Sequence, residues 1–315
     1  MSEIKKEKIG LTTYKHPDLT WVNVTNATPE SMAVLREQFP FFMDIDLRDC
    51  LPPYQRPKLL ERDRYLFMVL QFPVFDHKNR IIESSELDLF IGKDFVVTSH
   101  NGKVRALADM AASFESGANI CPLETVNCPA NWLHTLLASL YISVFPMLTH
   151  ISNDIGALEA ELFRDTNGDT VKDILRVKSN IVDFRKIMQG HKHVIEKFMR
   201  SAPKMLNMKD LEVYYEDLVG HTKEIWDFLD NDKNTIDAVY DSYLSLITYQ
   251  ASEASKTLTA LAFIIFPMNL VAAIFTMRAV HMPIEGLPGD FWFMLGIVGL
   301  TAVVTIGFLR RKKWL

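Results

Sequence analysis

Residues Thr257 to Met277 read TLTALAFIIFPMNLVAAIFTM, and Phe291 to Leu309 read FWFMLGIVGLTAVVTIGFL. The first run has 21 residues and the second 19, and neither carries a charge. A helix of ~20 apolar residues spans the ~30 Å hydrocarbon core of a bilayer. One such run could be a buried core helix. Two in succession, followed by Arg310-Arg311-Lys312-Lys313, read as two membrane spans. Basic residues beside a span favour the cytoplasmic side. The C-terminus is therefore expected in the cytoplasm, and two spans bring the N-terminal body back to that side. The loop at 278–290 then faces outside. MSEIKKEKIG at the start has no apolar signal-peptide core, in keeping with a cytoplasmic body.

The net charge of −5 over 315 residues divides unevenly. Residues 257–315 carry five Lys/Arg and two acids, so +3; residues 1–256 carry 29 bases and 37 acids, so −8. An acidic, solvated body is joined to an apolar tail with a basic end. Three cysteines exclude a disulfide scaffold, and 48% hydrophobic residues exclude a disordered chain. Cys50, Cys121 and Cys128 lack metal-site spacing and are expected to be reduced structural thiols.

The body up to about residue 130 mixes short strands and helices. Thr20 to Asn26 alternates like a strand. Thr28-Pro29-Glu30 reads as a helix start, with a Thr cap and Pro at the first position. Tyr65 to Phe75 and Leu87 to Ser99 are strand-rich, and Asp76 to Asn79 forms a turn. Residues 118–129 read as a connector. From 131 to 205 the pattern is a long helical hairpin. Trp132 to Arg164 is one arm, which Pro146 should kink or interrupt. Thr170 to about Ser201 is the other, with a turn at Asp165 to Asp169. A stalk helix follows over 206–256 and meets no strong breaker before Pro267. At ~1.5 Å per residue it runs roughly 90 Å, too long for a compact monomer core. Lys209 to Asp241 holds ten acids and three lysines, which would concentrate cations near the membrane.

One face of the first span stands out. Ser252, Ser255, Thr259, Ala262, Phe266, Asn269, Ala273 and Thr276 follow one another at steps of three and four. They are small or polar except Phe266. Such a stripe either packs closely against another helix or lines a wet path.

These features resemble the CorA/ZntB family of two-span metal-ion transporters along nearly the whole chain. The resemblance rests on Tyr243-Leu244-Ser245-Leu246 leading into Lys256 and Leu258-Thr259, the span with Pro267, Met282-Pro283, and the basic KKWL end. In the body it rests on Asp49-Cys50-Leu51, Gln55-Arg56-Pro57-Lys58, Leu89-Phe90 and Ile91-Gly92-Lys93. It implies an α+β cytoplasmic αβα funnel domain with a long helical hairpin and stalk helix, followed by two transmembrane helices, in a homopentamer. Spans at 257–277 and 291–309 would sit in a bacterial-type inner membrane, and 310–315 would form the basic cytoplasmic tail. The first span would line the pore. Divalent cations would be the substrate and would also regulate. No organic cofactor, nucleic acid or enzyme activity is implied, and no phosphate-loop, GxSxG, HExxH or dinucleotide motif occurs.

The resemblance also assigns residues. Asp217, four residues before His221-Thr222, is similar to a stalk aspartate that binds regulatory cations between subunits. Asp241 is similar to an acid at the cytoplasmic pore end. Asn269 falls at a polar pore-lining position and Phe266 at an apolar constriction, which raises the pore reading of the stripe above the packing one. The family's Gly-Met-Asn or Gly-Val-Asn signature is replaced by Thr276-Met277-Arg278. Pro267-Met268-Asn269 looks like the signature but lies nine residues early. Arg278 would ring the outer mouth, pointing inward or pairing with Glu285 in the external loop. Ser252 also stands where the family has a second Asn. Two functions follow as expectations: a divalent-cation channel or transporter of the magnesium, zinc, cobalt or nickel class with an altered filter, or a membrane scaffold or cation sensor with little transport. The nine histidines are scattered, and each is expected at the surface.

Overall fold

The computed structural model describes residues 3–6, 10–116, 128–162, 168–206, 208, 211–277 and 289–312. The chain separates into two compact units, 1–240 and 241–315. The first is built on a seven-stranded sheet: β1 (Glu3–Lys6), β2 (Leu11–His16), β3 (Leu19–Thr25), β4 (Lys58–Glu61), β5 (Leu66–Asp76), β6 (Ile81–Ile91) and β7 (Phe95–His100). The spatial order is β1-β2-β3-β7-β6-β5-β4, antiparallel except for the parallel β3–β7 pair. That parallel pair needs a long crossover, and α1 (Pro29–Gln38), α2 (Asp44–Asp49) and the β4–β5–β6 meander supply it.

The helix start at Thr28 is as the sequence indicates. The Thr28 hydroxyl accepts from the Ser31 amide at 3.2 Å, and the Ser31 hydroxyl accepts from the Thr28 amide at 2.9 Å. Two orphan donors of the first turn are thereby satisfied. α1 and α2 cover one face of the sheet, where Leu35, Phe42, Phe67, Phe90 and Val97 form an apolar core. On the other face Trp21 meets Tyr14, Phe114 and Trp132 at ring centroids of 4.6, 5.5 and 4.9 Å. Phe114 belongs to α3 (Arg105–Glu115) and Trp132 to α4 (Cys128–Leu162). Helices on both faces give the αβα layering.

The core contains an acidic pocket. Glu86 and Asp88 are two apart on β6, so both face α2. They are 5% and 2% exposed, and Cys50 lies beside Asp88. The Glu86 carboxylate accepts from the Gln55 amide, and Lys58 pairs with Asp49 nearby. Burial, reinforced by the charge of Glu86, drives the Asp88 carboxyl well above the usual carboxylate range. Burial likewise lifts Glu86 to about 7 and raises the Cys50 thiol, which keeps it inert.

The helical arms differ from expectation in three places. α4 is not interrupted at Pro146. The carbonyl that Pro146 leaves without its helical partner belongs to Ile142, which is 57% exposed, so water can take the bond. The second arm is two helices, α5 (Gly168–Met188) and α6 (His191–Ser201). They part at Gly190, where a Cβ would lie 2.8 Å from Cβ of Pro57. His191 is not a surface residue but is fully buried. Its Nε2 lies 2.6 Å from the Gln71 carbonyl and its Nδ1 3.1 Å from the Tyr141 hydroxyl. Burial lowers it to about 4, so it is a neutral core tie. Of the other cysteines, Cys121 lies outside the described residues and Cys128 begins α4. Of the expected turn at Asp165 to Asp169, 165–167 also lie outside them, while Gly168 and Asp169 open α5.

α7 runs from Glu212 to Thr276 and α8 from Asp290 to Arg311. α7 passes through Gly220 and Pro267 as one helix of 65 residues. Among the described residues three helices are long and apolar enough to cross a membrane: α4, α7 and α8. Their apolar windows are 39%, 6% and 6% buried, respectively. The apolar side of α4 is committed to the core through Trp132, Leu136, Leu140 and Val144. Those of α7 and α8 have little such cover among the described residues.

Candidate functional site: the uncovered face of the long helix

The placement of α7 is set by its buried face. Tyr215, Leu218, Thr222, Ile225, Leu229, Asp232, Ile236 and Val239 recur at steps of three and four, and all are buried. Leu218, Ile225, Leu229 and Ile236 are the apolar contacts that anchor this seam in the first unit. Charged clasps flank it. Arg185 of α5 binds Asp230 at 2.7 Å and stacks over the Trp226 ring at 4.7 Å. Seven residues earlier on α5, Lys178 binds Asp237 at 2.6 Å and lies over Tyr240 at 5.2 Å. The antiparallel run of α5 against α7 explains why the earlier cation meets the later partners.

Asp232 is the irregular member of the seam. It is 3% exposed, and its Oδ1 accepts from the Ser152 hydroxyl of α4 at 2.9 Å. Its Oδ2 has no hydrogen-bond partner among the described residues. Burial raises its carboxyl, and the Ser152 bond opposes that rise.

Beyond Glu253, the residues of α7 that lose exposure are Ala260, Ile264, Pro267, Met268 and Val271, with Thr259 and Ala262 half-buried beside them and Ala260 only 3% exposed. On α8 they are Met294, Ile297, Val298, Thr301, Ala302, Thr305, Ile306 and Leu309. Each set is one stripe at helical spacing. At 100° per residue, the centre of the Ser252 to Thr276 stripe lies roughly 160° from the covered stripe of α7. The small/polar stripe therefore lies mostly outside the packing seam of this unit, with only Thr259 and Ala262 partly covered. Ser252, Ser255, Asn269, Ala273 and Thr276 are exposed, Phe266 is 71% exposed, and Thr259 and Ala262 are half-buried. Met277 is 66% exposed. Arg278 and Glu285 lie outside the described residues.

The same register continues toward the N-terminus of α7, which the sequence reading did not follow. Thr248, Ser245, Asp241, Ala238, Asn234, Asn231, Asp227, Glu224, Gly220, Asp217 and Val213 extend it, again at steps of three and four, and every one is exposed. Asp217 and Asp241, picked out separately in the sequence, are thus two members of one stripe that already contained the span residues. The signal was the spacing itself. Gly220, Glu224, Asp227 and Asn231 line a shallow groove of about 430 Å³ on this face. The Asp217 carboxylate lies 3.5 Å from Nε2 of His221. Among the described residues no cluster of His, Cys, Asp and Glu is poised to hold a metal within one chain. A single α7 offers a row of separate ligands, not a cage.

Several stripe hydroxyls share one orientation of their hydrogen. Ser245, Thr248, Thr259 and Thr276 donate to the carbonyls of Asp241, Leu244, Ser255 and Ala273 at 2.9, 2.8, 2.7 and 2.8 Å. Their hydrogens are used inside the helix, and their oxygen lone pairs face outward as acceptors.

The sequence profile of the CorA-like Mg2+ transporter protein family matches residues 17–311. The chain belongs to that family. Members of this CorA family are divalent-cation channels and transporters of the membrane, not enzymes. Among its relatives, the cobalt/magnesium transport protein CorA of Thermotoga maritima is 25% identical over 296 residues, covering 94% of this chain and 83% of that one. The putative metal ion transporter YfjQ of Bacillus subtilis is 22% identical, covering 98% of this chain and 94% of that one. The fold is that of the complete CorA magnesium transporter from Methanocaldococcus jannaschii, with a TM-score of 0.84, 18% identity and 96% of both chains covered.

Proposed function

We propose that the chain is one subunit of a homopentamer that passes hydrated divalent cations across the inner membrane, with the α7 stripe lining the path. In this reading 257–277 and 291–309 are the spans, both termini are cytoplasmic, and 278–290 is the external loop. The observation that carries the reading is the polar stripe from Asp217 to Thr276, exposed except at half-buried Thr259 and Ala262 and roughly opposite the main packing seam of its own chain. A polar face left open along a helix that also enters lipid needs companions of the same kind, and copies of α7 around an axis supply them.

The chemistry suits a hydrated ion. Magnesium gives up its water reluctantly, and its first-shell waters present hydrogens outward. The outward lone pairs of Thr276, Thr259 and Thr248, with Asn269, Ser255 and Ser252, accept those hydrogens without competing for the metal. Phe266 narrows the path with an apolar ring. Asp241 and Asp217 lie at the acidic cytoplasmic end, where they attract ions and bind regulatory cations between subunits. Magnesium and cobalt are the first candidates, since relatives carry those ions in their names; zinc and nickel follow from the altered signature. Thr276-Met277-Arg278 in place of the family signature favours a second reading, a scaffold or cation sensor with little transport, in which Arg278 or its pairing with Glu285 closes the mouth.

Proteoliposomes decide between them. Uptake of magnesium, cobalt, zinc or nickel above empty vesicles, reduced by Asn269→Ala, supports the transporter. A wild-type chain that fails to exceed empty vesicles for all four ions refutes it. Under the barrier reading, Arg278→Asn raises flux.

A further inference from the structure

We propose that Arg310 and Arg311 form a binding site for the phosphate of anionic lipid headgroups in the cytoplasmic leaflet. The inference rests on α8 being a membrane span with a cytoplasmic C-terminus, as proposed above.

α8 carries its own ruler. Phe291, Trp292 and Phe293 at its start are 62%, 73% and 61% exposed. The Trp292 ring, with its polar N–H, settles at the headgroup boundary of a bilayer. Arg310 lies 18 residues after Trp292, or roughly 27 Å at ~1.5 Å per residue, close to the ~30 Å of a hydrocarbon core. When the aromatic triplet occupies the outer boundary, the arginines reach the inner one without tilt or stretch.

Direction then separates three of the four bases. At 100° per residue, Arg310 and Arg311 each lie roughly 130° from the centre of the covered stripe of α8, on either side, and Lys312 lies within roughly 30° of it. Both arginines therefore point away from the helix that covers α8 and toward whatever surrounds the pair. Arg310, Arg311 and Lys312 are exposed, and none makes an ion pair among the described residues. Glu253, on the corresponding stretch of α7, is already paired with Lys256.

The guanidinium fork matches a phosphodiester with two parallel hydrogen bonds, which an ammonium cannot do. Basic residues beside a cytoplasmic helix end are attracted to anionic lipid, and each is worth about a fivefold preference. Two adjacent arginines on a lipid-directed face thus select phosphatidylglycerol-type headgroups over zwitterionic ones. Lys312 and Lys313, as ammoniums, would add general attraction without paired hydrogen bonds.

The test uses the full chain in phosphatidylcholine bilayers doped with spin-labelled phosphatidylglycerol or spin-labelled phosphatidylcholine. The motionally restricted fraction gives a relative association constant for each probe. The expected result is a preference of at least about fivefold for phosphatidylglycerol. Arg310→Gln/Arg311→Gln should abolish that preference, and Lys312→Gln/Lys313→Gln should leave most of it. Equal restriction of the two probes in the wild type overturns the site, as does a preference that survives the arginine change or depends equally on the lysines. Absence of restricted lipid of either kind refutes the membrane span itself, a separate outcome. Arg310→Lys/Arg311→Lys keeps the charge and guards against a folding defect: it should retain part of the preference, and complete loss with restricted phosphatidylcholine unchanged would make the guanidinium fork indispensable.

Discussion

Replacing Glu86 by Gln should flatten part of the pH dependence of the cytoplasmic unit. Glu86 is 5% exposed on β6, and burial lifts its carboxyl from an ordinary 4.5 to about 7, against the opposing pull of the Gln55 amide and Lys58. The folded chain keeps this proton over a range where the unfolded chain has released it. Stability from this group is therefore fully present below pH 4.5 and is lost as pH rises to about 7. At 1.36 kcal/mol per pKa unit, the loss is about 3 kcal/mol. Gln has nearly the same shape, can still accept from the Gln55 amide, and does not titrate. The measurement is thermal unfolding of the full chain in detergent, followed by near-UV circular dichroism of the cytoplasmic aromatics, at pH 4 and pH 8. A unit of this size shifts by about 2–4 °C per kcal/mol, so E86Q should gain roughly 6–12 °C on wild type between the two pH values. A residual downward slope should persist in E86Q, because Asp88 is raised in the same direction. Parallel curves for wild type and E86Q would refute the assignment of a buried, proton-holding Glu86.

Two further changes probe the seam of α7. Asp232→Asn removes a buried charge whose Oδ2 lacks a partner, so it should stabilise the chain above neutral pH and lose that advantage in acid, where Asp232 is itself protonated; urea midpoints at the two pH values check this. Arg185→Ala removes both the Asp230 bond and the stack on Trp226, and should cost about 1–2 kcal/mol, read as a lower melting temperature and altered Trp fluorescence.

What the sequence revealed depended on how local the cause was. The two apolar runs were legible because lipid imposes a length on any helix that crosses it. Thr28-Pro29 was legible because a cap is decided within four residues. β5, β6 and β7 were visible as apolar runs, while β1, β2 and α3 were not. The lysines of β1 and β2 interrupt any apolar alternation, and α3 is short. The break at Gly190 was hidden because its cause, Pro57, lies far away in sequence. His191 was misplaced for the same reason: Gln71 and Tyr141, which satisfy it, come from distant elements. At the candidate site, the span half of the stripe was read from spacing alone. Its stalk half was scattered among ten acids, and the spacing that puts Asp217 and Asp227 on the stripe and Asp232 in the buried seam was not followed below Ser252.

The period of that stripe carries a consequence for assembly. From Val213 to Thr276 it holds 3.5 residues per turn for 63 residues, or nine heptads. A straight α-helix drifts ~20° per heptad against such a repeat, so over this length the stripe would rotate by about 180°. A polar face that began toward an axis would end pointing away from it, and Asn269 and Asp217 could not line one path. The repeat stays on one side only if α7 winds about the axis with a left-handed sense. The buried seam from Tyr215 to Val239 keeps the same 3.5 period, so the cover from its own chain follows that winding. Beyond Val239 the polar stripe continues for five more heptads, and in lipid an uncovered row of Ser, Thr and Asn is costly unless it meets its like across a wet axis. The proposed pentamer is therefore expected to be a left-handed bundle of α7 helices.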